Sequence, residues 1–245
     1  MRILKKIKKN NGRFQIYLFG LKIFSYKRKK IIVGNNTLQY NGKNVTHIPG
    51  LDVQFMGENS SVLINGQTVF NNSFLKIKNN CSIIIDESKH IIHLKAWLGE
   101  SNKLTLGENF ASASLQIHAE DSENLQIEIG KECLCSDNVE IWGTDGHTIF
   151  DCVTKKCINI PKYISIGSHV WLCKGVTILK NSIIPDHCIV ARNSIVTESS
   201  LKNISDKKNI SHCVLGGIPA KIIKTNVDWD SRPVAEYCKE QTITI

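Results

Sequence analysis

The sequence predicts an all-β fold, a parallel β-solenoid, on three observations. Aliphatic residues recur at every sixth position through Ile160, Ile166, Leu172, Ile178, Ile184, Val190 and Val196. A second set follows four places after each of the first six: Ile164, Val170, Val176, Ser182, Cys188 and Ser194, all small or β-branched. Gly, Asn and Asp fill the positions between, and no long stretch carries a helical pattern. Six is neither the 3.6-residue period of a helix nor the two-residue alternation of a simple strand. It suits a short strand plus a turn, with one large aliphatic pointing inward and a small residue at the corner. Three such units close a triangular coil of about eighteen residues, and coils stack into a solenoid.

Each element follows from this unit. Val, Ile and Thr suit the pleated, buried strands, and Gly, Asn and Asp suit corners that need unusual backbone angles. The same phase appears upstream in Ile129, Cys133, Cys135, Val139 and Ile141, with fainter traces in Leu106 with Phe110 and Ile77 with Cys81. In chain order, residues 1–30 form a basic N-terminal segment, in which RFQIYLFGLKIFSY (13–26) reads as two short strands around Gly20. Residues 31–103 carry strand signals of less regular spacing (Val53 with Phe55, Val62 with Ile64, Leu75 with Ile77, Ile83 with Ile85) and read as irregular N-terminal β coils. Residues 104–225 hold the regular repeat, interrupted at 197–212 by a polar loop without period. Residues 226–245 are a C-terminal tail, with a short helix expected around Val234–Lys239 and a last strand at Thr242–Ile245.

The charge is unevenly placed. Residues 1–30 hold 11 of the 31 Lys and Arg and none of the 22 acids, leaving 20 bases against 22 acids in the rest. A basic head on a near-neutral body suits an anionic partner, such as an inner-membrane surface or an acidic polysaccharide. Nucleic acid suits the chain less well and is not the expected partner, because the body shows no basic stripe interleaved with aromatics. No apolar run reaches the length of a membrane-spanning helix, and the N-terminus lacks the cleavage pattern of a signal peptide. The expected location is the cytoplasm, with peripheral contact at the inner membrane face. The nine cysteines form no CxxC pair. Cys133, Cys135 and Cys188 fall at interior positions, which points to reduced thiols acting as small hydrophobes.

One stretch breaks the apolar rhythm: WGTDGHTIFD, residues 142–151. A polar, glycine-containing turn lifts a side chain off the prism, and function collects on loops carried by rigid scaffolds. Histidine is the usual general base near neutral pH, so His147 is the candidate base. Asp145 either orients the His147 ring, as in a catalytic triad, or makes an Asx-turn. Asp151 is a weaker candidate of the same kind. Trp171 sits at the last place of its unit, where a side chain faces outward.

Residues 164–196 (ISIGSHVWLCKGVTILKNSIIPDHCIVARNSIV) and 214–222 (VLGGIPAKI), with the DGH turn and Trp171, resemble the hexapeptide-repeat acyltransferases. Within them the similarity is greatest to polysaccharide and capsule O-acetyltransferases. Cys173, Leu179 and Pro185 stand where that family often has Gly, Ala191-Arg192 where Gly-Ala is common, and Gly217-Ile218 where Gly-Asn is common. The resemblance implies a left-handed parallel β-helix, an exception to right-handed crossovers, and a homotrimer with sites between subunits. It implies an acetyl-CoA-dependent enzyme that acetylates a hydroxyl of a cell-surface polysaccharide or its precursor, without a metal. His147 is then the base, and Trp171 lines the acetyl and acceptor site. Backbone groups near Gly175 and Ala191 meet the pantetheine, while Arg192 and Lys221, with Lys174, meet the phosphates. Three alternatives stand beside this reading. One is N-acetylation of an amino sugar or nucleotide sugar. Another is a γ-carbonic-anhydrase-like metal site on His169 and His187, eighteen residues apart, with His118 or His147 as a third ligand. The last is a solenoid without catalytic activity.

Overall fold

Inward side chains at alternate strand positions decide the architecture. In the strand Leu51–Phe55 the residues Leu51 and Val53 are buried and Asp52 and Gln54 exposed, and Ser82–Ile85 buries Ile83 and Ile85. This alternation marks sheets with one face on a core. The computed structural model describes residues 4–8, 13–18, 21–27, 34–201 and 210–241, in two units, 1–32 and 33–245. In the first unit β1 (Leu4–Lys8), β2 (Arg13–Leu18) and β3 (Leu21–Lys27) form an antiparallel sheet in that order. The two strands expected around Gly20 are β2 and β3.

The second unit is a left-handed parallel β-helix of about eight turns. Its first face stacks Thr37–Tyr40, Ser61–Ile64, Ser82–Ile85, Lys103–Leu106, Gln126–Ile129, Tyr163–Ile166 and Ile183–Ile184, all parallel. The second face runs through Val69–Phe70, the starts of Ile91–Glu100 and Ala111–Glu123, Leu134–Cys135, Trp171–Leu172, Cys188–Val190 and Cys213–Gly217. The third stacks Leu51–Phe55, Ser73–Ile77, the later parts of the two long strands, Val139–Trp142, Thr177–Leu179 and Ile195–Val196. Pairing continues through residue 104 without a break. Ala220–Thr225 turns back antiparallel on Cys213–Gly217 and closes the stack.

The six-residue ladder faces inward as expected. Leu172, Ile178, Val190 and Val196 are fully buried, as are Val170, Val176, Ser182 and Cys188 of the second set. Ile160 is the exception: it is 56% exposed, because the segment between Trp142 and Tyr163 leaves the prism as a loop and no coil passes through it. Burial pushes the Cys133 thiol up to about 12 and raises that of Cys135 as well, in keeping with a packing role.

Corners set the spacing. At one corner Asn109, Glu132, His169, His187 and His212 all take positive φ, between 52° and 56°. Across the second corner Asn138, Gly175 and Asn193 do the same, and across the third Asn59, Asn80, Ser101, Asn124 and Asn181. Asn and His are among the residues that accept the left-handed region at least cost. Close approach matters elsewhere: a Cβ added to Gly130 would lie 2.6 Å from the backbone carbonyl carbon of Gly167 one coil on, so no side chain fits. The expected short helix is α1 (Val234–Gln241). The expected strand at Thr242–Ile245 and much of the 197–212 loop (residues 202–209) lie outside the described residues. Among the described residues no helix is long and apolar enough to cross a membrane.

Candidate active site

Residues 143–162 join a third-face strand to the next first-face strand, so they stand off one corner of the prism. Inside this loop Phe150 and Cys157 form an antiparallel bridge, and Ile158 N–H donates to Ile149 O at 2.9 Å. Gly146 takes a φ of +72°, and its N–H donates to Thr144 Oγ1 at 3.0 Å, a tight turn just before His147. The His147 side chain is exposed. Asn159 fixes the backbone beneath it. Its Nδ2 donates to the His147 carbonyl at 2.9 Å and to Asp145 Oδ2 at 2.7 Å, while its Oδ1 accepts from Ile149 N–H at 2.9 Å.

Asp145 is turned toward Lys180, whose ammonium donates to the same Oδ2, and not toward the His147 ring. Burial pushes the Asp145 carboxyl up, but the Lys180 and Asn159 hydrogen bonds outweigh it and hold the carboxyl below the usual carboxylate range. Asp145 is therefore bonded to Asn159 and Lys180 rather than to the imidazole. Asp151 accepts from Val153 N–H at 3.0 Å, Thr154 N–H at 2.6 Å and the Thr154 hydroxyl at 2.9 Å, which makes it the turn-former of the loop tip. A cavity of 350 Å³ beside His147 is lined by Asp121, Asn124, Thr144, Thr148, Asn159 and Pro161, among others. Lys180 and Asn159, which lie 35 and 14 residues from Asp145, carried no local sequence signal.

The residues expected to hold the donor gather at a different corner. Strand register puts Lys174 and Arg192 at equivalent positions one coil apart, with Gly175 beside Asn193. A Cβ on Gly216 would meet the Ala191 Cβ at 3.5 Å, and Gly216 pairs with Lys221 on the closing strand. Lys174, Gly175, Ala191, Arg192 and Lys221 thus form one neighbourhood. Lys174 is paired with Asp137 at 2.9 Å, which lowers the Asp137 carboxyl, whereas Arg192 and Lys221 are exposed without an ion pair among the described residues. Trp171 lies around this corner on the second face. Its indole N–H donates to Ser136 Oγ at 3.1 Å, and its ring meets Trp229 at 5.9 Å, so the tail covers part of it. Within one chain the width of the third face separates this donor neighbourhood from His147. His118 is on that third face, stacked between Trp97 at 5.1 Å and Trp142 at 4.3 Å, far from the corner that carries His169 and His187.

The parallel β-solenoid is the fold that the resemblance to the hexapeptide-repeat acyltransferases implied, and that resemblance stands. No protein-family model matches the chain. The chain is 31% identical over 144 residues to a polysialic acid O-acetyltransferase of Neisseria meningitidis, covering 58% of this chain and 65% of that protein. It is 40% identical over 119 residues to a polysialic acid O-acetyltransferase of Escherichia coli O1:K1, covering 49% of this chain and 36% of that one. The chain thus spans less than two thirds of the length of these curated relatives. Among solved structures, the polySia-specific acetyltransferase NeuO superposes with a TM-score of 0.66 at 26% identity, over 80% of this chain and 82% of that one.

Proposed function

We propose that the protein transfers acetyl from acetyl-CoA to a hydroxyl of an acidic surface polysaccharide of the polysialic acid type, with His147 as general base. The observation that carries this reading is the His147 loop: an exposed imidazole on a turn whose backbone is tied down by Asn159, in a segment that leaves the regular coils. The relatives named above supply the substrate class, and the 11 basic residues in the first 30 suit a polyanionic acceptor.

Acetyl-CoA supplies an activated acyl thioester; the remaining work falls to this chain. His147 removes the proton from the acceptor hydroxyl as its oxygen bonds to the acetyl carbon, and returns that proton to the departing thiolate. A backbone N–H holds the carbonyl oxygen as it becomes negative. Arg192 and Lys221 meet the donor's phosphates as charge-assisted partners, with Lys174 shared between phosphate and Asp137. Trp171 bounds the site on the acceptor side. Because His147 and the donor neighbourhood occupy different corners of one chain, the complete site is formed between copies, with the loop of one against the donor corner of the next.

The test is free-thiol release from acetyl-CoA by the purified protein with polysialic acid, neutral glycans and amino sugars as acceptors. Release is expected with the sialic polymer, falling by about 10²–10⁴-fold in His147→Ala, and the product should carry an ester-linked acetyl. The melting temperature should not move, since the side chain is exposed. Preference for an amino sugar, with an amide product, would replace O- by N-acetylation; a His147→Ala protein of wild-type turnover would remove the base assignment.

A further inference from the structure

The corner that joins the first and second faces carries three histidines at equivalent places on successive coils. His169 and His187 are one regular coil apart, and His187 pairs by register with His212, 25 residues on, because the 197–212 loop lengthens that coil. All three take positive φ, so their side chains leave the prism on the same side, with ring centroids 5.1 Å apart for the first pair and 4.5 Å for the second. The chain then returns from the closing strand and places Asp228 against all three. His187 Nδ1 is 3.0 Å and His212 Nδ1 3.2 Å from Asp228 Oδ2, and His169 Nε2 is 3.4 Å from Asp228 Oδ1.

These separations have a specific meaning. Zinc binds imidazole nitrogen and carboxylate oxygen with arms of about 2.0–2.2 Å, so the edge of its tetrahedron measures about 3.4 Å. His187 and His212 approach Oδ2 of Asp228, and His169 approaches Oδ1, at separations of that order, and ligating atoms of His169, His187 and Asp228 all lie within 4.8 Å of one another. The surroundings also match a metal site. Nδ1 of His169 faces Glu132 Oε2 at 3.7 Å, the carboxylate–histidine arrangement that orients a ligand ring. The Trp229 ring stacks on His169 at 4.6 Å, and its indole N–H donates to the His169 carbonyl at 2.9 Å, which fixes the ring from its other side. His169 Nε2 lies 3.1 Å from the Trp229 carbonyl. A groove of 610 Å³ lined by Glu132, His169, Trp229 and Asp230 opens beside His169.

We propose that His169, His187, His212 and Asp228 bind one divalent transition-metal ion of the zinc class. The ion fastens the C-terminal segment across the last three coils; this role is structural and independent of the acetyl transfer proposed above. Three imidazoles and one carboxylate fill a tetrahedral shell, the closed form typical of a structural site.

The test uses the full chain without a histidine tag. Metal content is measured as purified; the protein is then stripped with a chelator and titrated with zinc by calorimetry and with cobalt by visible absorption. The expected result is one ion per chain, a melting temperature that rises with zinc, and cobalt bands of a tetrahedral nitrogen–oxygen site without thiolate charge transfer. Asp228→Asn and His212→Gln should each abolish the one-to-one event. Glu132→Gln should weaken it about tenfold or more while leaving the metal-free melting temperature unchanged. Folded wild-type protein that shows no saturable one-to-one binding overturns the proposal. So does a one-to-one event unaffected by Asp228→Asn and His212→Gln, or a thiolate–cobalt band, which would move the ion to an exposed cysteine such as Cys152, Cys157 or Cys238.

Discussion

The Asn159 side chain makes four hydrogen bonds within the 143–162 loop, and two of them meet on the turn that carries His147. Its amide is therefore placed to position the proposed base. Asn159→Ala should lower kcat of acetyl transfer far more than it raises KM, while the circular dichroism of the coils stays unchanged; equal loss on both would assign Asn159 to acceptor binding instead. Lys180 works from the other side of the turn through Asp145, and here the sign with pH can be worked out. The Asp145 carboxyl lies below its ordinary value in the folded protein, so its contribution to the loop is complete above the unfolded carboxylate pKa of about 3.9. It is lost only as pH falls through the lower, folded value. Loop protection in hydrogen exchange should thus be flat from pH 8 to 5 in the wild type. Lys180→Met should remove part of that protection across the same range. Neither partner was legible beforehand: Asp145 beside His147 invited a triad reading, and nothing local in the sequence points a carboxylate at a lysine 35 residues away.

At the scale of the element, each coil is an inward aliphatic plus a left-handed corner, and the two can be tested apart. Ile178 is fully buried between Ile141 and Val196 on neighbouring coils, so Ile178→Ala should cost about 2–5 kcal/mol in denaturant unfolding. Asn193 has a φ of +56° at an exposed corner. Replacing it with Val puts a β-branched residue into that region and should cost about 1–3 kcal/mol, whereas Asn193→Gly should be near neutral. The same geometry explains which coils the sequence revealed. Ser165 pairs with Ile183, 18 residues on, and a strict six-residue period results. Ser61 pairs with Ser82 and Ser82 with Lys103, 21 residues apart each time. The longer coil keeps the faces aligned in space but breaks the period along the chain. Hence Val62, Ile83 and Leu104, stacked in one register, look unrelated in sequence. The histidine corner was half visible for the same reason: the 18-residue step from His169 to His187 is plain, and the 25-residue step to His212 is not.

At the scale of the whole molecule, the starting point is that the residues proposed to hold the donor and the proposed base lie at different corners of one chain. The donor neighbourhood of Lys174, Gly175, Ala191 and Arg192 and the His147 loop stand at opposite edges of the third face. The loop itself is an unusual thing to leave in water, with Val153 89% and Ile158 65% exposed, and with Ile149 and Phe150 half exposed beside them. Clustered apolar groups of this kind mark a surface that another molecule covers. A second copy of the chain is the partner that solves both problems at once, since closed rotational symmetry repeats each loop-to-corner contact until the ring shuts. Three copies suit a prism with three faces, and trimeric assembly is the reading proposed here. Val153→Asp alters no residue of the site and, being so exposed, should leave the melting of the isolated chain unchanged. In sedimentation equilibrium the wild type is expected at three times the chain mass and the variant at lower mass. Its thiol-release activity should fall in the same proportion and recover as protein concentration is raised. A wild-type monomer with full activity would mean that the donor binds nearer His147 than Lys174 and Arg192 allow, and the donor neighbourhood would have to be given up.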